Sequence, residues 1–170
     1  MNNPSSPVLM QLRDHLENEV RCHKRLLELA EAKQRQIIVG DMRAFSELLQ
    51  KEQEPLSLML RLRQIRERIL RDVADVFALG RDTLRLNQVI ERCAGMIKDE
   101  LSVRATELRT VCERLREIND SNLMLIRQSL SFVRDVLSTL VGDTPSNNYD
   151  RRGSEAYARA GRGRLVDLAG

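Results

Sequence analysis

The sequence predicts an all-α protein: an elongated antiparallel helical bundle of three long helices plus one short helix, with a flexible C-terminal tail. Three observations carry that prediction. Leu108, Val111, Leu115, Ile118, Asn122, Leu125, Ser129, Phe132 and Val136 are spaced alternately three and four apart, the heptad seam of a long helix packed along its length against other helices. Aromatics make up only 3% of the 170 residues and there is no Trp, so the core must be aliphatic. Glycines followed closely by capping residues divide the rest into apolar-periodic runs.

The polar opening through Ser6 reads as a disordered lead, with Ser6 as N-cap and Pro7 at the favoured first helical position. Helix one then runs to about Val39, with Leu9, Leu12, Leu16, Val20, Leu26 or Leu27, Ala30 and Ile37 keeping the helical period. Gly40 supplies a left-handed stop and Asp41 the next N-cap. This tight corner forces the first two helices antiparallel. Helix two is expected from about Met42 to Leu79 with a face of Phe45, Leu48, Leu49, Leu56, Met59, Leu62, Ile65, Ile69, Val73 and Val76. Pro55 removes a backbone bond inside it, so a kink or a local restart is expected near Glu52 to Pro55.

Gly80 closes helix two, and Asp82 caps a shorter third helix through Leu84, Leu86, Val89, Ile90 and Cys93. Gly95 marks a break, and a fourth helix continues to Val141. The three long helices would measure on the order of 48, 57 and 66 Å. The domains are then a disordered lead over 1–7, a helical-bundle domain over 8–142, and a flexible, conditionally ordered tail over 143–170, where Gly, Ser, Asn and Pro cluster.

Composition excludes several functions. The 31% of charged residues are nearly balanced in sign, with 24 Arg against 4 Lys, and a net charge of +3 is too small to argue for polyanion binding. Cys22, Cys93 and Cys112 are an odd number at no metal-like spacing, and read as reduced thiols of a cytosolic protein. The chain opens on no charged-then-apolar signal, and no run approaches the roughly 18 apolar residues of a membrane span. A soluble cytoplasmic protein without an integral membrane segment is expected.

His15, Glu19 and His23, at steps of four, line one strip of helix one and are the best metal candidates. A di-metal bundle needs Glu-x-x-His on two helices with further glutamates opposite, and this chain has only two histidines. No metal or other cofactor is expected. His15 and His23 read instead as edging the apolar face, His23 in the seam position between Val20 and Leu27. No phosphate loop and no nucleophile–base spacing occurs, so no enzyme is expected. Arg61, Arg63, Arg66, Arg68 and Arg71 scatter around the helix axis among Glu67 and Asp72, as arginines that snorkel along a core edge do, and no nucleic-acid partner is expected.

Asn122 stands in the seam where leucine is the usual residue. Its default role is to fix helix register at some cost in stability; the alternative is that Asn119 and Asn122 meet a bound segment. From Leu123 onward a second apolar row, Leu123, Ile126, Leu130, Val133 and Leu137, runs beside the seam. A helix apolar on more than one side must bury more than one side. We expect Leu125, Phe132 and Val136 to hold the bundle while Asn119, Asn122, Leu123, Ile126, Leu130, Val133 and Leu137 form a protein-binding groove. Tyr149 and Tyr157, aromatics with no core duty, are expected to dock the tail together with Asp150 and Gly153.

The arrangement resembles the FlgN-type flagellar export chaperones. The matching pieces are Val39-Gly40-Asp41 with Phe45-Ser-Glu-Leu48-Leu49-Gln-Lys51-Glu52 behind it, Leu62-Arg-Gln-Ile65-Arg66-Glu-Arg-Ile69-Leu70, Ile118-Asn119-Asp-Ser-Asn122-Leu123-Met-Leu125-Ile126, and Tyr149-Asp150-Arg-Arg-Gly153. Their order spans most of the chain, although Pro55 and the Arg-rich segment after Gly153 depart from the pattern. The resemblance implies a cytoplasmic, non-enzymatic chaperone. Its partners would be the C-terminal helical segments of hook-filament junction proteins of FlgK and FlgL type, and a type III export gate of FlhA type. The runner-up is a structural coiled-coil or adaptor module whose second row closes a homo-oligomer.

Overall fold

The computed structural model describes residues 7–77 and 85–141, and all the regular structure in them is helical. Helix α1 is Pro7–Val39, α2 Met42–Val76, α3 Leu86–Arg92 and α4 Gly95–Val141. The chain divides into two compact units, Met1–Gln128 and Ser129–Gly170. Ser6, Gly80, Asp82, Leu84, the lead and the tail after Val141 lie outside the described residues.

In the first unit the corner between α1 and α2 forms as expected. Gly40 adopts φ 79°, its N–H bonds the Gln36 carbonyl at 2.9 Å, and the Asp41 carboxylate accepts from the Ala44 N–H at 2.9 Å. A left-handed residue followed at once by an N-cap leaves the chain nowhere to go but back. The register of the return is fixed by polar ties at rising numbers on α1 and falling numbers on α2: His15 to the Leu62 carbonyl, Cys22 to the Pro55 carbonyl, and Lys33 to Glu52. Helix α4 runs the same way as α1, since Arg13 meets Glu100, Lys24 meets Glu107 and Asn122 meets Ala30.

The main core lies where the start of α1, the end of α2, α3 and the start of α4 come together. It is built from Leu9, Leu12, Leu16, Val20, Ile69, Val73, Val89, Cys93, Ile97, Leu101 and Leu108. All but Cys93 are aliphatic, in line with the composition. Nearer the corner, α1 buries Leu26, Leu29, Ala30 and Ile37; of the two leucines open at that step, Leu26 is the inner one.

Four expectations about α2 and α3 are corrected. Helix α2 is continuous through Pro55, so of the two outcomes expected there the local restart does not occur. It ends at Val76, where the Phe77 N–H reaches back to the Val73 carbonyl at 3.1 Å. Helix α3 starts at Leu86, where the Gln88 side chain accepts from the Arg85 N–H at 2.8 Å, the backward reach of a capping-box residue. The apolar face assigned to α2 also proves too wide. Leu62, Ile69 and Val73 are buried, but Leu49 and Ile65 are exposed; beside Ile65, Arg66, four residues after Leu62, takes the inward position opposite Glu19.

The seam of α4 is buried at Leu108, Val111, Ile118 and Asn122. Helix α1 ends at Val39, only nine residues beyond the Ala30 carbonyl that Asn122 bonds, so within the first unit α1 has little left to offer α4 after that point.

In the second unit the described part is Ser129–Val141, the last turns of α4. Here the seam and the second row are exposed together: Phe132 is 69% and Val136 40% accessible, Leu130 53%, Val133 51%, Leu137 54% and Leu140 76%. The expectation that Phe132 and Val136 hold the bundle is therefore corrected. A lone helix has no second surface among its own described residues on which to bury an apolar stripe.

Candidate protein-binding face

Two features of the helices bear on function. The first is a buried polar network in the first unit. Glu19 is 2% exposed, yet both its carboxylate oxygens are bonded. Oε2 accepts from Arg66 Nη1 at 2.7 Å, and Oε1 lies 3.3 Å from Nε2 of His15. That same Nε2 lies 2.9 Å from the Leu62 carbonyl oxygen. Both neighbours of Nε2 only accept, so this nitrogen carries the proton. His23 donates through Nδ1 to the Glu19 carbonyl at 2.8 Å.

The metal candidates are thus each committed within the helices, and among the described residues no group of three His, Cys, Asp or Glu converges to hold a metal ion. A cleft of ≈ 300 Å³ beside this network is lined by Glu19, His23, Met59, Leu60, Arg63, Arg66, Leu108 and Cys112. With both Glu19 oxygens taken, the cleft has no free carboxylate to offer. What the network does is hold α2 on α1 in one register, because a buried charge is tolerated only where its partners stand.

Burial pushes the thiols of Cys22, Cys93 and Cys112 above the ordinary cysteine range. A thiol held protonated is a poor nucleophile at neutral pH. Two further polar layers lie toward the corner. Lys33, 8% exposed, places Nζ at 2.7 and 2.6 Å from the two oxygens of Glu52, itself 9% exposed. Asn122 donates through Nδ2 to the Ala30 carbonyl at 2.9 Å, while its buried Oδ1 has no partner among the described residues.

Of the residues expected to bind protein, the first unit contains Asn119, Asn122, Leu123 and Ile126. Asn119 and Leu123 are exposed and Ile126 half-buried, whereas Asn122 is buried on α1, the register role first assigned to it. In the second unit Leu130, Val133 and Leu137 are exposed, joined by Phe132, Val136 and Leu140. Sequence periodicity had placed Phe132 and Val136 in the core, so it missed that both rows are open. Tyr149, Asp150, Gly153 and Tyr157 lie outside the described residues.

The second feature is therefore this apolar face. Six large apolar side chains at 40% exposure or more stand within eleven residues of one helix, and the only charged residues among Ser129–Val141 are Arg134 and Asp135. Single exposed hydrophobics are ordinary, but a contiguous apolar stripe marks an interaction surface. No described helix is long and apolar enough to cross a membrane, so the stripe is not part of such a span.

A Bacillus subtilis (strain 168) protein named "Uncharacterized protein YvyG" is 24% identical over 145 residues, 85% of this chain and 88% of that one. No solved structure matches the chain. The family model described as "FlgN protein" matches residues 1–156, and with that match spanning the four helices and the apolar face of α4, the chain belongs to the FlgN protein family.

Proposed function

We propose that this protein is a non-enzymatic flagellar export chaperone that works in the cytoplasm. It binds the C-terminal helical segments of hook-associated proteins of FlgK and FlgL type and hands them to a type III export gate of FlhA type. Family membership supports the chaperone class. The observation that carries the binding mode is the open apolar face of α4 formed by Leu130, Phe132, Val133, Val136 and Leu137. Proteins that assemble through amphipathic terminal helices expose those helices before assembly, and would associate prematurely. A helix apolar over half its circumference, with few charges, covers such a segment in the helix-in-groove manner.

The binding energy available suits a transient complex. Each large aliphatic or aromatic side chain fully buried contributes about 1.5–3 kcal/mol, and the ordering of both partners offsets much of the sum. Micromolar binding is the expected range, which allows release at the gate.

Titrating the full-length protein with C-terminal peptides of hook-associated proteins from the same genome, read by calorimetry and by mass in solution, tests the reading. One chain taking up one peptide is expected. A stable oligomer that ignores every such peptide would overturn it in favour of an adaptor that closes on its own copies.

A further inference from the structure

In the first unit α2 and α4 both rest on α1 and run opposite ways. At the level of Glu19 they face each other across the ≈ 300 Å³ cleft, α2 through Met59 and Leu60, α4 through Leu108 and Cys112. We propose that this cleft is one end of a groove that takes an amphipathic helix of a partner protein, with carboxylates on the flanks of its apolar stripe. The groove shares no residue with the face formed by Leu130 to Leu140, and the proposal stands apart from the chaperone reading.

The walls are apolar and lack cover. Between Met42 and Arg61 the only residue that α2 buries is Glu52, although Leu49, Leu56 and Leu60 stand in one row at steps of seven and four. Leu49 is 39% and Leu60 57% exposed, and Leu56 is half-buried. On α4, Cys112 and Ile126, both half-buried, stand fourteen residues apart with the exposed Asn119 midway. Residues at such steps share one face of a helix. From Leu49 to Leu60 is about 16 Å, room for about three turns of an added helix. A helix laid between two antiparallel neighbours, over a third, completes a four-helix arrangement in which every apolar row is covered.

The charges around the cleft choose the partner. Glu19, the one carboxylate of its lining, is taken by Arg66 and His15, so what remains to face an occupant is cationic. Arg66 bonds Glu19 through Nη1 and keeps part of its side chain in solvent. Arg63 is exposed and held by Glu67 at 3.5 Å, a surface contact that yields readily. On the other wall Arg109 and Arg116 bracket Cys112 at three and four residues, both exposed, and Arg116 meets Asp120 at 4.0 Å, the longest of the ion pairs along α4. A helix flanked by glutamates brings these guanidinium groups charged partners, whereas one flanked by lysines meets like charge on both walls.

Two synthetic 18-residue peptides with the same leucine heptads, one flanked by glutamates and one by lysines, serve as probes. Each is titrated into the full chain and into its Arg63→Glu, Arg109→Glu variant, and alkylation of Cys112 by iodoacetamide is followed by mass spectrometry with and without peptide. Both substituted residues are exposed, and circular dichroism establishes that the variant is folded. The glutamate peptide is expected to bind one per chain and to slow alkylation of Cys112. The variant should bind it about tenfold more weakly, the loss of two ion pairs, and should gain affinity for the lysine peptide. Failure of the glutamate peptide to bind, equal affinity for the two peptides, or binding that leaves Cys112 as reactive as before each overturns the proposal. The Cys112 readout on the native chain decides the matter even if the variant does not fold.

Discussion

Glu19 of α1 accepts Arg66 of α2 at 2.7 Å with its own side chain 3% exposed and that of Arg66 30% exposed. The pair turns what reads as a surface arginine cluster into an internal tie. Of the five arginines between Arg61 and Arg71, Arg66 is the one half-buried; the others are exposed or paired along their own helix, as Arg63 is with Glu67. The arginine leaves its stem along the apolar face and places its head on the one carboxylate of α1 that cannot reach water.

Truncating Arg66 should therefore cost more than a surface ion pair would. Arg66→Met leaves Glu19 buried with only the longer contact to His15, and the expected loss is about 2 kcal/mol, below the 3–5 kcal/mol of a fully buried pair because Arg66 is partly solvated. The double variant Glu19→Leu, Arg66→Met should recover most of that loss, since no charge is left stranded. Urea unfolding of both variants checks it: a single variant as stable as the native chain would show that the tie contributes nothing.

Asn122 gives the opposite expectation. Its Nδ2 is bonded but its buried Oδ1 has no partner among the described residues, so the residue carries a desolvation cost that leucine would not. Asn122→Leu should leave stability within about 1 kcal/mol of the native value or raise it. Asn122→Asp replaces a donor by a carboxylate facing the Ala30 carbonyl, and should lower stability by about 2 kcal/mol or more near neutral pH. Thermal melts of the two variants separate these outcomes; equal effects would mean that Asn122 is solvated.

The fold was legible because its signals are local. Gly40 and Asp41 encode the corner within two residues, and the seam of α4 encodes its burial as far as Asn122. The polar ties were not legible, because Glu19 meets Arg66 and Lys33 meets Glu52 only once the α1–α2 register is known. Sequence spacing on one helix says nothing of which carboxylate on another will face it. The binding face was legible as an excess of apolar width, but Phe132 and Val136 were misplaced. Periodicity reports which residues prefer burial, and whether a neighbouring helix is long enough to provide it is a property of the whole chain.

The three thiols give a prediction in pH. Burial raises each above the usual value of about 8.5, so the folded state holds these protons more tightly than the unfolded state. Their contribution to stability is present in full below the unfolded thiol value and is lost as pH rises through the folded values. The native chain should lose more thermal stability between pH 8 and pH 10 than a Cys22→Ala, Cys93→Ala, Cys112→Ala variant. Iodoacetamide should modify the folded chain more slowly than the urea-unfolded chain at pH 8. Equal pH dependence in the two proteins would rule the linkage out.

The last prediction separates core from binding face along a single helix. Leu101 is fully buried in α4 within the main core, whereas Phe132 is 69% and Leu130 53% exposed. An aspartate at 101 strands a charge among aliphatic side chains, and Leu101→Asp should lower stability by more than about 4 kcal/mol and unfold the chain near ambient temperature. Phe132→Asp and Leu130→Asp place the same charge in water. Each should shift the midpoint by less than about 1 kcal/mol while weakening binding of a client C-terminal peptide by about 2 kcal/mol, the loss of an anchor side chain. Melting temperature and peptide affinity measured on the same three proteins give a two-way result. If Phe132→Asp melts the protein as Leu101→Asp does, the end of α4 is core. If it leaves both folding and affinity unchanged, the client binds elsewhere and the apolar stripe serves another contact.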